Sequence, residues 1–463
     1  MTSAADDVNT PPGKAGAAKP LPLITCVGWG AGTLAVAALF NSVNVLLLRY
    51  LVDYVGIGAA LAGSLMALSK LYDALIDPII GSFSDRSKSK HGRRRPFVLA
   101  GGVMLAVSAL IMFNVPTGLT PTAAVIYVTI GLLFYSTAYA VFSVPYMAMP
   151  AEMTSDYHER SRLISFRVYA VGLASLVATF VGPVLIARGG GGQTGHTMMS
   201  LFVAALAIAG TVFCFRTTAS APFHYGSEHA RLSFIEKLKL LAGNKPFVLL
   251  LVIKLLQLTA LAVTQAAMPF LFRQVLHFSD TMLGLYFLFF YTSMMLSQQV
   301  WVRLGRSMGK RKIYLIATAV YAVMYSSWYF VESGEPVYLT FGRAVGLGVT
   351  AGAVLLFGQS LLPDTMEWDY RRTGMRREGM LAAVYTIVEK LAYAIGAGIT
   401  GILLGASGYI KATSGAAVAQ PESAINAIYF LASIGPMILL GLSCIALKYY
   451  DLSEEKLAGT ASE

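Results

Sequence analysis

Charged residues are few in this chain. Asp, Glu, Lys and Arg make up 13% of its 463 residues, hydrophobic residues make up 56%, and the mean hydropathy is +0.64. A soluble domain carries about 25% charged and roughly 45–50% apolar residues, so a water-soluble fold could not hide this much apolar surface. Chemistry-bearing residues are scarce too. The three cysteines, Cys26, Cys214 and Cys444, lie within or at the ends of apolar runs without metal-ligand spacing, and read as small packing residues. The six histidines are scattered, mostly between the runs, with no Gly-rich ATP-binding loop and no metal-ligand cluster. These absences weigh against an ATP-driven pump or a membrane hydrolase, so neither enzymatic activity nor a cofactor is expected.

Long apolar runs, by contrast, fill the chain. They cover residues 23–52, 58–83, 97–115, 123–149, 163–187 and 198–215, then 247–276, 281–304, 313–331, 337–362, 381–406 and 424–447. Each is long enough to cross about 30 Å of hydrocarbon as a helix. They predict an all-α polytopic membrane protein with twelve transmembrane helices. The net charge of +11 and pI of about 9.4 would suggest nucleic acid as a partner for a soluble chain. Here the cations fall between spans, in SDRSKSKHGRRRP (84–96), GRSMGKRK (305–312) and RRTGMRRE (371–378), while loops 114–122, 189–197 and 333–336 are nearly uncharged or mildly acidic. By the positive-inside rule this places both termini in the cytoplasm, in the inner (plasma) membrane. The bilayer and a small solute are the expected partners, nucleic acid is not, and a monomer is expected.

Residues 1–22 are rich in Ala, Pro, Gly and Asp and read as a disordered cytoplasmic tail, without the basic segment and cleavage site of a signal peptide. Residues 23–218 and 247–448 form two expected six-helix bundles, followed by a cytoplasmic tail at 449–463. The linker 219–246 spaces Leu232, Phe234, Ile235, Leu238 and Leu241 amphipathically among cations, which predicts a surface helix. A basic loop follows the second span of each half, Asp85-Arg86 leading to Arg93–Arg95 in one and Arg306 leading to Lys310–Lys312 in the other. This echo implies pseudo-symmetric halves with a site between them at mid-membrane, and alternating access.

The second span contains Lys70-Leu-Tyr-Asp73-Ala-Leu-Ile-Asp77-Pro78. A charge at mid-membrane costs about 2.5 kcal/mol or more on insertion scales, so two carboxylates need a partner or an aqueous cavity. Four residues apart, they share one helical face. They would resist joint ionisation, which a bound Na⁺ or a shared proton relieves. The competing reading is a structural ion pair with Lys70 or another basic side chain.

The segment YDALIDPIIGSFSDRSKSKHGRRRP (72–96), with LPDTMEWD (362–369) and RREG (376–379), resembles the glycoside-pentoside-hexuronide:cation symporters, the melibiose-permease-like branch of the major facilitator superfamily. The resemblance covers nearly all the spans. It implies two six-helix bundles working as a cation-coupled symporter of a sugar or sugar derivative: a glycoside, pentoside or uronate. It further implies that Asp73 and Asp77 bind the coupling cation, that Lys390 couples it, and that Arg167 holds substrate, with hydrogen bonds its guanidinium can donate in pairs.

The departures from that family are informative. Ala37 and Ser143 stand where melibiose permease has sugar-binding aspartates, and Met147 stands for a sugar-stacking tryptophan. Galactosides are therefore not the expected substrate. Ile76 and Ala140 replace an asparagine and a threonine beside the cation site. Sodium wants several oxygen ligands and a proton only one carboxylate, so proton coupling is expected over sodium. The same branch includes lysolipid transporters with an analogous acidic site, which leaves an amphiphilic substrate as an alternative. A non-transporting sensor with a transporter fold is the other.

Ser143, Tyr146, Tyr139, Glu389 and Trp328 complete the expected substrate-binding set. Asn41, Asn44, Gln257, Gln265, Gln298 and Gln359 are further polar residues for the cavity wall or for helix packing, and Arg49 and Lys254 read as cations that snorkel from span ends. Gly401 and Gly405 read as close-packing points. At the cytoplasmic side, Asp85 and Arg86, and Asp364, Glu367 or Asp369 facing Arg93, Arg94 and Arg95, could hold a gate shut in one state. Plain topology signals that also bind anionic lipid are the equal alternative.

Overall fold

A computed structural model describes residues 20–154, 156–221, 243–374, 378–411 and 418–452. Twelve long helices account for them: α1 Leu23–Asp53, α2 Ala59–Asp85, α3 Arg95–Phe113, α4 Pro121–Met153, α5 Tyr157–Arg188, α6 Gln193–Thr217, α7 Lys245–Val275, α8 Asp280–Met308, α9 Lys310–Phe330, α10 Val337–Thr373, α11 Glu378–Ala406 and α12 Glu422–Tyr449. Eleven are long and apolar enough to cross a membrane; α8, with Ser297, Gln298, Gln299 and Arg303 in its second half, is the more polar exception. The linker helix expected around Leu232 to Leu241 lies outside the described residues.

Helix ends follow local chemistry. The Thr120 and Asp156 side chains accept from the backbone amides of Ala123 and Glu159 at the starts of α4 and α5, and Asn244 does the same for Phe247 at the start of α7. Gly309, at φ 84°, turns the chain between α8 and α9, and Gly374, at φ 66°, ends α10. Hydropathy places the end of α10 at residue 362, before Pro363; the helix carries that proline inside it and runs on to Thr373, where Gly374 ends it.

The two halves repeat one packing scheme. In the first, α1 packs on α5 and α6, α3 on α4 and α6, and α2 on α4; in the second, α7 packs on α11 and α12, α9 on α10 and α12, and α8 on α10. The halves meet where α2 lies on α11 and α5 on α8. Lipid supplies no hydrophobic drive for helix association, so close approach depends on small residues. A methyl group added at Gly401 would lie 2.5 Å from the Ala59 carbonyl oxygen, and one at Gly284 would lie 2.7 Å from the Phe180 carbonyl oxygen. Both contacts join the halves at the end away from the basic loops.

That end is sealed. Every residue of α1 from Ala35 to Asp53 except Phe40 is buried, and so are residues 262–272 of α7. At the other end, where the basic loops lie, the interface helices are far more exposed: Leu296 of α8 shows 75% of its surface and Tyr169 of α5 shows 69%. The halves are therefore pressed together at one end and more open at the basic end.

Candidate functional site

The interface of α2 and α11 holds the carboxylate pair. Lys390, on α11, places its Nζ 3.0 Å from Asp73 Oδ2 and 2.5 Å from Asp77 Oδ2, so one ammonium from the second half bridges two acids of the first. Asp73 is buried, whereas a quarter of the Asp77 side chain is exposed. Each acid keeps one buried oxygen, Oδ1, with no hydrogen-bond partner among the described residues. Pro78 follows Asp77 within α2 and has no N–H to offer the Ala74 carbonyl, which leaves a further acceptor on the same stretch of helix. The arrangement gives two acids a single bridging ammonium and leaves oxygens open to a further cation.

Lys70 makes no ion pair with these acids among the described residues, although it lies in electrostatic range of Asp73. Its Nζ sits over the rings of Phe40, Tyr135 and Tyr139 at 4.8, 5.0 and 5.7 Å and donates to the Tyr135 hydroxyl at 3.4 Å. The Lys390 Nζ lies 5.8 Å from the same Tyr139 ring, so two ammonium groups share that ring. Glu389, next along α11, pairs with Lys254 of α7 at 3.0 Å within its own half, with a third of its side chain exposed. Lys254 is buried, so it does not snorkel as expected; the partner on α11 holds it inside.

Arg167, on α5, is half-buried, lies within electrostatic range of the Tyr139 hydroxyl, and has a buried Nε with no partner among the described residues. Its donors remain available to a ligand. Ser143 is half-buried on α4. Two expected substrate residues are used elsewhere. Tyr146 stacks on Trp29 at 4.9 Å, its hydroxyl donates to the Trp29 carbonyl at 2.5 Å and meets Thr33 Oγ1 at 2.8 Å, so it fastens α1 to α4. Trp328 is buried against Phe272 and Tyr286, under the Arg343 guanidinium, at the end of α9. It belongs to packing at the sealed end, away from the carboxylates.

Among the described residues the basic loops make pairs within their halves. Arg94 reaches Asp85 at 2.5 Å and Glu152 at 2.8 Å, Arg93 reaches Glu152 at 2.5 Å, and Arg95 lies over the Phe215 ring and donates to the Phe215 carbonyl. In the second half Lys310 pairs with Asp364 at 2.7 Å, Asn244 donates to Asp369 at 3.0 Å and Glu367 pairs with Arg371. Arg86 is exposed. Where Asp364, Glu367 or Asp369 were expected to meet Arg93–Arg95 across the halves, the described residues show a repeated motif within each half, in which cations at the start of its third helix bind an acid of its fourth. Glu152, which sequence reasoning passed over, is that acid in the first half. Its signal was an acidic residue closing a span in a basic loop environment.

Sequence reasoning also missed the bridge at the sealed end. Arg49 is buried and paired through its guanidinium with Asp280, at the start of α8, while its Nε lies 3.7 Å from Asp53 Oδ2. Asp53 accepts in turn from the Tyr409 hydroxyl at 3.1 Å, and Gln274 donates to the same hydroxyl at 3.0 Å. An arginine taken to snorkel instead ties α1 to the other half.

A sequence model described as MFS/sugar transport protein matches residues 28–454. The chain is 26% identical to the glucuronide carrier protein homolog of Escherichia coli, with 93% of each chain covered, and 24% identical to the isoprimeverose transporter of Lactiplantibacillus pentosus, over 90% of this chain and 86% of that one. Its fold superposes on a crystal structure of a D-xylose–proton symporter with a TM-score of 0.64 at 15% identity, covering 94% of this chain and 97% of the other. With the fold, the repeated halves and a match along nearly its whole length in agreement, this chain belongs to the MFS sugar transport family, in its glycoside-pentoside-hexuronide:cation symporter branch.

Proposed function

We propose that the protein is a secondary carrier that moves a sugar or sugar derivative together with a cation by alternating access, and that the cation is a proton. The observation that carries this reading is the bridge from Lys390 to Asp73 and Asp77 with its two unpartnered carboxylate oxygens. Two acids share one bridging ammonium at mid-membrane, where an unsatisfied buried carboxylate oxygen is costly. A proton or Na⁺ taken at Oδ1 satisfies it. The same event weakens the hold of Lys390, and so loosens α11 from α2. Cation occupancy and the relative position of the halves are then coupled, because the ion has different affinities for the bridged and unbridged arrangements.

Proton over sodium is supported by the side chains beside the acids. Ile76 brings no side-chain oxygen beside Asp77, and Ala140 is a fully buried packing residue. Arg167, with free donors, is the substrate-holding cation, and Tyr139 lines the space between Lys70 and Lys390. The names of the relatives, a glucuronide carrier homolog and an isoprimeverose transporter, support sugars and sugar acids as the substrate class. The positive-inside bias supports a plasma-membrane orientation with both termini cytoplasmic, which makes the open end the inward one. Asp85, Arg93, Arg94, Arg95, Asp364 and Asp369 then stand at the inward rim, where the halves would close.

The deciding experiment is uptake of labelled sugar into proteoliposomes. An imposed pH gradient, acid outside, drives accumulation in sodium-free buffer. Accumulation driven by a sodium gradient alone, with no response to pH, overturns proton coupling.

A further inference from the structure

The interface between the halves holds a second polar cluster, which cation binding does not use. Asn41 of α1 and Ser175 of α5 come from the first half, Gln265 of α7 and Tyr291 of α8 from the second, and all are buried. They form one chain of hydrogen bonds: Asn41 Nδ2 donates to Ser175 Oγ at 3.1 Å, the Tyr291 hydroxyl to Asn41 Oδ1 at 3.4 Å, and Gln265 Nε2 to the Tyr291 hydroxyl at 3.4 Å. The chain is loosely made. Two of these bonds lie beyond the usual range, and Gln265 Oε1 is buried with no partner among the described residues. Buried carbonyl oxygens are rarely left unpaired, because each costs free energy. This one marks capacity that the protein itself does not use.

The cluster's position is as telling as its composition. Asn41 and Gln265 sit on α1 and α7, which hold corresponding places in the two halves, and each precedes a π-helical turn, Val43–Leu47 and Leu271–Val275 respectively. Such turns gather at functional sites, and the interface of repeats is where carriers of this architecture bind their cargo. Phe40, beside Asn41, packs edge-on against Tyr393 at 4.9 Å and lies 6.1 Å from Tyr139, the ring that flanks Lys390. An aromatic layer thus lies between the cluster and the carboxylates.

We infer that Asn41, Ser175, Gln265 and Tyr291 form a hydroxyl-reading subsite of the transport site, which takes the uncharged face of a sugar ring. Amides and hydroxyls each both donate and accept, as sugar hydroxyls do, and the set carries no charge. The Tyr291–Asn41 bond crosses between the halves. When the halves part, substrate hydroxyls take the place of that bond on both sides and fill the spare acceptor of Gln265. Specificity then comes from hydroxyl placement, because a missing hydroxyl leaves buried amides unpaired. This inference rests on the sugar-transport reading above.

The test uses the full-length protein in proteoliposomes and sugar counterflow with isoprimeverose, methyl glucuronide and sulfoquinovose, followed by mono-deoxy analogues of whichever is carried. Tyr291→Phe keeps the ring and removes only the hydroxyl; Gln265→Leu removes the amide at similar volume. Each variant is expected to lose about tenfold in apparent affinity for the parent sugar. For one deoxy analogue, whose hydroxyl partner is already gone, variant and unmodified protein should agree within about twofold. Equal losses for the parent and every analogue, or no loss at all, overturn the subsite while sugar transport stands. If the unmodified protein carries none of the three sugars, the sugar reading falls and the subsite with it. Tyr291→Phe alone decides the matter should Gln265→Leu fail to fold.

Discussion

Among the described residues two ionic bridges join the halves, and in each one cation contacts two carboxylates. At the sealed end Arg49 faces Asp53 and Asp280; at mid-depth Lys390 faces Asp73 and Asp77. The difference lies in the cation and in access. Every side chain of the Arg49 bridge is less than a tenth exposed, and a guanidinium keeps its charge and its forked geometry at any physiological pH. The Lys390 bridge shows a quarter of Asp77 to the open end and keeps two unpartnered carboxylate oxygens. An ammonium is a point charge that a proton or a metal cation can replace. The same contact pattern therefore serves two purposes: a fastening closed off from solution, and a site that an ion from solution can enter.

The sharpest way to break this contrast is to remove the exchangeable acid. Asp77→Asn should lower concentrative uptake by at least about 100-fold, while sugar counterflow, which needs no net ion movement, persists at a measurable rate; full accumulation by this variant would end the assignment of Asp77 to the cation. Arg49→Ala should act on stability instead. Removing one partner of a buried pair leaves an uncompensated charge and costs about 3–5 kcal/mol, read as a lower thermal midpoint of the purified protein. It should also open the sealed end, so that a cysteine introduced at Ala35 reacts with a membrane-impermeant maleimide from the far side. Arg49→Lys should recover the charge but only part of the stability, because an ammonium cannot make the paired contact to Asp280. Gly401→Ala is a milder probe of both bridges, since it pushes α11 off the backbone of α2. A loss of about 1–3 kcal/mol is expected, the usual cost of overpacking, with slower transport in the same assay.

The sequence made the fold and the mid-depth bridge legible for physical reasons that do not extend to the rest. Apolar runs of membrane-spanning length leave little choice of architecture, and a carboxylate pair four residues apart within one of them demands a partner. Lys390 was reached only through resemblance, since 313 residues separate it from Asp77. Arg49 and Lys254 were misread because a cation near the end of a span has a cheap path to water, and nothing local shows that Asp280 or Glu389 waits on another helix. Tyr146 and Trp328 were misread for the converse reason. A single sequence reveals that a polar aromatic residue lies in the membrane but not that its hydroxyl is already spent on Trp29, or that its ring is closed in by Phe272, Tyr286 and Arg343. The asparagine and glutamine of the hydroxyl-reading cluster were visible as candidates, but only the fold brings them together.

The repeated motif at the basic end gives the smallest effect, and one that separates structure from gating. Arg94 and Glu152 are buried, whereas about a third of the Lys310 side chain and a quarter of Asp364 are exposed. An exposed pair contributes about 0–1 kcal/mol, so Lys310→Ala and Asp364→Ala should each shift the thermal midpoint by a few degrees at most. Their double-mutant cycle should give a coupling below about 1 kcal/mol that shrinks as salt is raised. Glu152→Gln should cost more, because two arginines lose their shared acid at once. If instead the Lys310–Asp364 cycle shows little coupling in stability but a several-fold change in transport rate, these pairs form or break during the cycle, and the rim would be a working gate as well as a brace within each half.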